Sequence, residues 1–292
     1  MVIENIREIC LLLLLTLIII RLYVLNNKNI KEHFENETDK IAFCFLTIGN
    51  IHQIDLWKKF LKGNENKYNI YIHPKEPEKV NNEWKKYIIK DRIDTKWGDI
   101  SLVKATLKLF QEAYMNDNNK MFILVSDSCI PIYNFEYIYD NLINHQITRY
   151  SIRNKNQENM LKPRYNEILN NTNNEFLEYN KFKKQSQWCI INRDDIKIMI
   201  DKNNDYTDLY KNVFAHDEHY FINISEKFNL KYDDNKSISF DNWNADELDS
   251  NSKYNKLPKT YLNVTINDIE KARNEEALFF RKVVPETKIC FF

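Results

Sequence analysis

The densest group of ionisable side chains in this sequence is His216-Asp217-Glu218-His219, and three chemistries are open to it. A metal site is one. The histidines stand three apart with the acids between them, unlike HExxH, so on a helix the carboxylates point away from one another. A helix N-terminus is the second, with Asp217 and Glu218 in a first turn where the dipole favours negative charge. General-base chemistry is the third, with Glu218 or Asp217 at a helix start facing a cleft. Asp127, in Ser126-Asp127-Ser128-Cys129-Ile130-Pro131, is a single acid closing an apolar run. A hard divalent cation held with a diphosphate takes one or two carboxylates in suitable geometry, so Asp127 alone is a weak ligand and a structural turn is its plainer role. Near the C-terminus, Arg281 and Lys282 lie inside the apolar run Phe279-Phe280-Arg281-Lys282-Val283. Two adjacent cations there are costly unless paired or bound to an anion. Either one of them is simply exposed, or they neutralise a diphosphate leaving group as a metal ion would.

Composition bounds what these groups can serve. Basic and acidic residues number 42 each, a formal net charge of zero, which argues against a nucleic-acid partner. Only Gly49, Gly63 and Gly98 occur among 292 residues, so neither a P-loop nor a GxGxxG fingerprint exists. A 43% hydrophobic content supports a sizeable core and excludes wholesale disorder. Cys10, Cys44, Cys129, Cys189 and Cys290 lack the spacing of a zinc site. The four beyond the N-terminal apolar run could form two disulfides in an oxidising lumen or none in a reducing compartment. Sequons stand at Asn36, Asn170, Asn223, Asn235 and Asn263, where an asparagine-rich chain also produces them by chance.

Residues 9–25 are apolar apart from Arg21. They reach the lower limit of about 17 residues for a spanning helix if Arg21 snorkels to the interface. The expected organisation is a short tail at 1–8, a transmembrane signal-anchor at 9–25, a polar stem at 26–39 and a catalytic domain at 40–292. A cleaved signal peptide fits less well, since no small-x-small site follows. A buried helix, or a segment resting at the interface, are further alternatives. Flanking charge does not orient the span: Arg7 precedes it, and Lys28 and Lys31 follow it.

From Lys40 the pattern becomes α/β. Ile41–Thr47, Tyr68–His73 and Met121–Ser126 read as strands, the first and last as buried parallel ones. Helices are expected at 53–62, about 81–90 and 100–114, with a short strand near Ile93. Further on, Gln187–Ile191 and 237–240 read as strands, and 193–202 and 217–227 as helices. In an open α/β sheet, ligands sit beyond the carboxyl ends of the strands. Those ends are Thr47–Asn50, His73–Lys75 and Ser126–Pro131.

The order of motifs over 40–288 resembles the core-2/I-branching enzyme family of glycosyltransferases, especially its plant-type branch. The segments that carry the resemblance are IAFCFLTIGNIHQIDLWKKFLKG, YNIYIHPK, WGDISLVKATLKLF, FILVSDSCIPIYNFEYIYDNL, KKQSQWCIINRDD, DEHYF, SISFDNWN, LPKTY and LFFRKVVPET. It implies a GT-A-like, Rossmann-type, mainly parallel sheet with flanking helices behind one N-terminal transmembrane helix. It also implies a single-pass type II membrane protein with its catalytic domain in the Golgi or ER lumen. The donor it implies is a UDP-sugar, used with inversion and without a required metal or other cofactor, and the acceptor a glycan or glycoprotein. The family's glutamate base carries over to Glu218 and its C-terminal phosphate-binding lysine to Lys282, with Arg281 beside it. A second phosphate-binding residue carries over to Lys259, and the acceptor-contacting tryptophan to Trp243. Where many animal members place a uracil-contacting aspartate, this chain has His73, as plant-type members do; Thr47 ends the neighbouring strand.

Chemically, UDP leaves without protonation, so one carboxylate suffices where a glycosidase needs two. Glu218 would take the proton of the attacking hydroxyl, and Lys282, with Arg281 or Lys259, would stabilise charge on the β-phosphate. Asp217 would orient the helix start or contact the acceptor. N-acetylglucosamine is the default donor sugar, with xylose and glucuronic acid as alternatives. A catalytically silent, carbohydrate-binding membrane protein on the same fold is the rival from another class.

Overall fold

Consecutive apolar residues suit a strand covered on both faces, and Lys40–Thr47 forms such a strand, β1, buried from Ile41 onward. The computed structural model describes residues 15–24, 38–152, 158–172, 176–202, 206–243 and 257–289. It divides into two units, Met1–Asp39 and Lys40–Phe292. In the first, residues 15–24 are helical and exposed. Among the described residues no helix is long and apolar enough to cross a membrane. The remainder of the expected span at 9–25, the tail at 1–8 and nearly all of the stem lie outside the described residues.

In the second unit β1 is followed by α1 (Ile54–Leu61), β2 (Tyr68–Pro74), α2 (Ser101–Tyr114), β3 (Asn119–Ser126), β4 (Ile130–Pro131), α3 (Phe135–Ile143) and β5 (Thr148–Tyr150). Next come α4 (Glu158–Asn170), β6 (Cys189–Asn192), α5 (Arg193–Asp201), α6 (Tyr220–Lys227), β7 (Tyr232–Asp233) and β8 (Ser239–Asp241). The chain ends in β9 (Tyr261–Val264), α7 (Ile266–Asn274), β10 (Phe279–Arg281) and β11 (Val283–Ile289). The main sheet runs in the order β2-β1-β3-β6-β5-β7. β1 pairs parallel with β2 and β3, while β6 pairs antiparallel with both β3 and β5, and β5 pairs parallel with β7. Only β6 therefore runs against the rest.

Alternate residues of β1 enter opposite layers, as strand geometry requires. Phe43 and Phe45 meet Trp57 and Phe60 of α1, with Trp57 edge-on to both phenylalanines. Ala42, Cys44 and Leu46 join the layer built by α2, α5 and α6. A smaller cluster joins β4, β8, β10 and α7. Cys44, Cys129 and Cys189 are buried and free. Leu124 pairs with Cys44 and stands beside the β6 strand that carries Cys189, so the two thiols lie two strand spacings apart, about 9.5 Å. A disulfide cannot span that distance. Of the sequons, Asn223 is fully buried with its amide bound to Lys183 and His219, whereas Asn170, Asn235 and Asn263 are exposed.

Three expected elements differ. Residues 81–90 form only a single 3₁₀ turn at Lys85–Tyr87. The buried side chains there, Trp84 and Ile89, are five apart and cannot share one helical face. The segment instead covers the edge of β2, with Ile88 bridging Ile72 and the Ile89 N–H donating to the Ile72 carbonyl at 3.0 Å. The expected strand near Ile93 is replaced by a loop whose Ile93 N–H is taken up by His73. The helix expected from residue 217 begins at Tyr220, because His216–Glu218 makes a separate 3₁₀ turn after Ala215, which adopts φ 56°.

Candidate active site

β6 runs opposite to its neighbours, so its first residue lies where their carboxyl ends lie. That reversal delivers the incoming segment Lys183–Trp188 to the edge where ligands of such sheets bind. The same edge carries the His216–Glu218 turn, since the Gln185 N–H donates to the Glu218 carbonyl at 2.8 Å. Glu218 is partly exposed, and its Oε2 lies 3.0 Å from the Lys184 ammonium. Asp217 is buried; burial first, and the Glu218 charge second, push its carboxyl up to about 7. His219 is fully buried and stacked on Phe182. The Arg164 guanidinium can only donate, so His219 Nε2 accepts from it at 2.8 Å and Nδ1–H donates to the Lys183 carbonyl at 2.9 Å. Burial holds this imidazole neutral, with its pKa lowered to about 3. His219 thus fastens Arg164 beside the carboxylate of Glu218, neither histidine of the quartet serving as a partner of the other. His216 instead holds the Lys211 carbonyl at 3.1 Å.

Four residues beyond Lys184, Trp188 lies under the Arg281 guanidinium, 4.8 Å from the ring centroid. Four residues of chain span at most about 14 Å, so one short segment links the partner of Glu218 to the partner of Arg281. Arg281 pairs with Asp241 across β8 and β10, 3.8 Å apart, and Trp243 donates its indole N–H to the same Asp241 oxygen at 2.8 Å. Lys259 is tied to this corner through its backbone N–H, which donates to the Asn242 carbonyl, while its ammonium lies over Tyr261. The Lys282 carbonyl accepts from the Tyr261 N–H at 2.9 Å, and the Arg281–Lys282 peptide is cis. The structure therefore gathers Arg281, Lys282, Lys259 and Trp243 in one corner. Polar capacity is left unused here: Arg281 Nε and both amide atoms of the fully buried Gln185 have no hydrogen-bond partner. Buried polar groups in native folds are satisfied unless a ligand or water supplies the partner.

The carboxyl ends of β1, β2 and β3 close the other side. Thr47 donates its hydroxyl to the Gly49 carbonyl at 2.9 Å and is buried. Asp127 accepts from the Ile48 N–H at 3.0 Å, so its carboxylate braces the loop after β1 as a turn residue. Val283 N–H donates to the Ser128 carbonyl, which joins this loop to the cationic corner. His73 is fully buried; Nε2 accepts from Ile93, which places the ring hydrogen on Nδ1, an atom without a partner. Burial lowers its pKa to about 4. Among the described residues no three His, Cys, Asp or Glu side chains gather as they would around a metal ion.

A family model described as Core-2/I-Branching enzyme matches residues 41–273. The chain belongs to the Core-2/I-Branching enzyme family. Glycosyltransferase BC10 of Oryza sativa subsp. japonica is 22% identical over 169 residues, which make up 56% of this chain and 40% of that protein. The apo structure of the bifunctional glycosyltransferase WbbM aligns with 84% of this chain and 46% of its own, at 11% identity and a TM-score of 0.39. The chain spans less than half the length of either relative. The family match covers the Glu218 turn and the segment before β6, and it ends short of Arg281 and Lys282.

Sequence reasoning named Glu218 but not its immediate company. Lys184, Gln185 and Trp188 lie in the KKQSQW segment, where the clustering of two lysines before a tryptophan was a visible signal without an assigned role. Arg164 gave no signal, since it sits alone in the polar surface pattern of α4.

Proposed function

We propose that this family member is an inverting, metal-independent glycosyltransferase that moves a sugar from a UDP-sugar to a glycan hydroxyl. The observation that supports the reading is one short segment, Lys184–Trp188, that touches both a partly exposed carboxylate at Glu218 and a cationic corner with unmet donors. Glu218 accepts the proton of the acceptor hydroxyl as its oxygen attacks C1 from the face opposite the departing diphosphate. Arg281 and Lys282, with Lys259 nearby, take up the charge growing on the β-phosphate. Asp127 is already engaged with the Ile48 N–H, which suits a leaving group stabilised by side-chain cations rather than by a metal. Thr47 and His73 are assigned to the nucleoside, and Trp243 to the acceptor. N-acetylglucosamine is the default donor sugar, and residues 9–25 anchor the chain to a bilayer as a type II protein with its domain in the ER or Golgi lumen.

Glu218→Gln keeps the shape and removes the base. Transfer should fall by about 10²- to 10⁴-fold in kcat, read as UDP release with UDP-GlcNAc, UDP-xylose and UDP-glucuronic acid, each with and without EDTA. Equal turnover by wild type and variant would falsify the assignment of the base. No turnover by wild type with any donor would favour a silent sugar-binding protein. Resistance of the full chain to carbonate extraction tests the anchor.

A further inference from the structure

Beside Glu218 the surface carries two aromatic rings that the core does not use. Trp97 is 66% exposed and Phe214 59% exposed, and they meet edge to face with centroids 6.4 Å apart and planes at 74°. Together they make an open corner with two apolar walls. Both rings are held by ordered backbone. Trp97 precedes Gly98, which takes φ 70°, and Asp99, whose carboxylate accepts the Ser101 N–H at the start of α2. Phe214 lies between buried Val213 and left-handed Ala215, the residue that opens the Glu218 turn. Arg164 stands over Phe214 at 5.3 Å while its other end is fixed to His219. The same guanidinium feels the charge of Glu218. Two aromatic faces and a fixed planar donor within the field of the Glu218 carboxylate thus adjoin one another.

We propose that Trp97 and Phe214 form an acceptor subsite that receives one pyranose ring of the glycan, with Arg164 donating to its hydroxyls. This rests on the transferase reading above. A pyranose presents C–H groups on one face and hydroxyls at its rim, which matches apolar walls bordered by a guanidinium. Size separates this occupant from a protein. Two aromatic side chains of about 150–250 Å² each, exposed by some three-fifths, offer roughly 200–300 Å². A stable protein interface needs about 800 Å² on each side. The patch is the size of a sugar ring.

The test has two arms. In the first, wild-type tryptophan fluorescence is titrated with cellobiose, xylobiose, chitobiose, galactobiose and N-acetyllactosamine. A saturable change with at least one of them is expected, lost in Trp97→Phe and weakened about fivefold or more in Phe214→Ala. No saturable change with any of the five overturns the subsite, and so does a response equally strong in all three proteins. In the second arm, the variants are assayed for transfer to the sugar that binds. The loss is expected in the acceptor KM, with Phe214→Tyr recovering most of it. A rise in the donor KM instead reassigns the corner to the donor and overturns the proposal. A chain that binds sugar but transfers none sinks only the transferase reading, and an active chain whose acceptor KM is unmoved sinks only the subsite.

Discussion

Lys184 meets Glu218 at 3.0 Å, with both side chains half-buried and the buried carboxyl of Asp217 next in sequence. Two acids therefore share the field of one cation, and Lys184 draws the Asp217 carboxyl downward against the larger effect of burial. Removing the ammonium should therefore make the Asp217 carboxyl hold its proton more tightly. Lys184→Met is expected to lower kcat by about 10- to 100-fold and to move the acidic limb of the pH–activity profile to higher pH. Lys184→Arg, which keeps the charge, should restore the position of that limb. A profile that keeps its shape in Lys184→Met would mean that the ion pair only stabilises the fold. Nothing in the sequence marked this pairing, because 34 residues separate the partners. What could be read was the acid cluster and its possible chemistry.

Elements place these residues more than local motifs do. Gln53, at φ 51° ahead of α1, points its amide nitrogen at the carbonyls of Val284, Pro285 and Thr287, at 3.0, 2.9 and 3.0 Å. His52 Nδ1 lies 2.7 Å from the Val283 carbonyl. The loop after β1 is thereby clamped to the start of β11, immediately after Lys282. Gln53→Ala should cost about 1–2 kcal/mol of stability, measured by urea denaturation, and should raise the donor KM through Lys282 without altering the pH profile. An unchanged donor KM would show that the clamp does not position Lys282. Strands β1 and β3 were legible from their unbroken apolar runs, since burial on both faces writes itself into every residue, and β2 from the shorter run YNIYIH stopped by Pro74. The pieces at β4, β5, β7, β9 and β10 were not, being two to four residues long and defined by partners far away in sequence. The 81–90 segment misled because aromatic and aliphatic residues that cap a sheet edge resemble a helical stripe.

Across the whole molecule, the buried histidines and the buried acid set opposite responses to pH. His73 and His219 are neutral in the fold, with pKa values lowered to about 4 and about 3, so their contribution is present above the usual histidine range and lost as pH falls. Asp217, raised to about 7, contributes in the other sense: its stabilisation is full at low pH and lost as pH rises towards 7. Two groups outweigh one, so the denaturation midpoint should fall between pH 7 and pH 4. Asp217→Asn removes the opposing acid and should steepen that fall, and a shallower fall would contradict the assignment. The fold class and the ligand edge could be read from the sequence because they follow from strand order, which the apolar runs reveal. The reversal of β6 could not, since a four-residue strand carries no mark of its direction, and with it the approach of Lys184 and Gln185 to Glu218 stayed hidden.

The three sealed thiols turn this chain into its own reporter of ligand binding. Burial raises the pKa of Cys44, Cys129 and Cys189, so each reacts only when the surrounding layers open. With Cys10 and Cys290 replaced by serine, the rate of modification by a thiol reagent follows the fraction of open molecules wherever reclosing is fast. A nucleotide sugar that binds the folded chain should slow that rate by the factor 1 + [L]/Kd. Ranking UDP-sugars by this protection would identify the donor even before an acceptor is found, and protection equal to that of UDP alone would show that the sugar moiety makes no contact of its own.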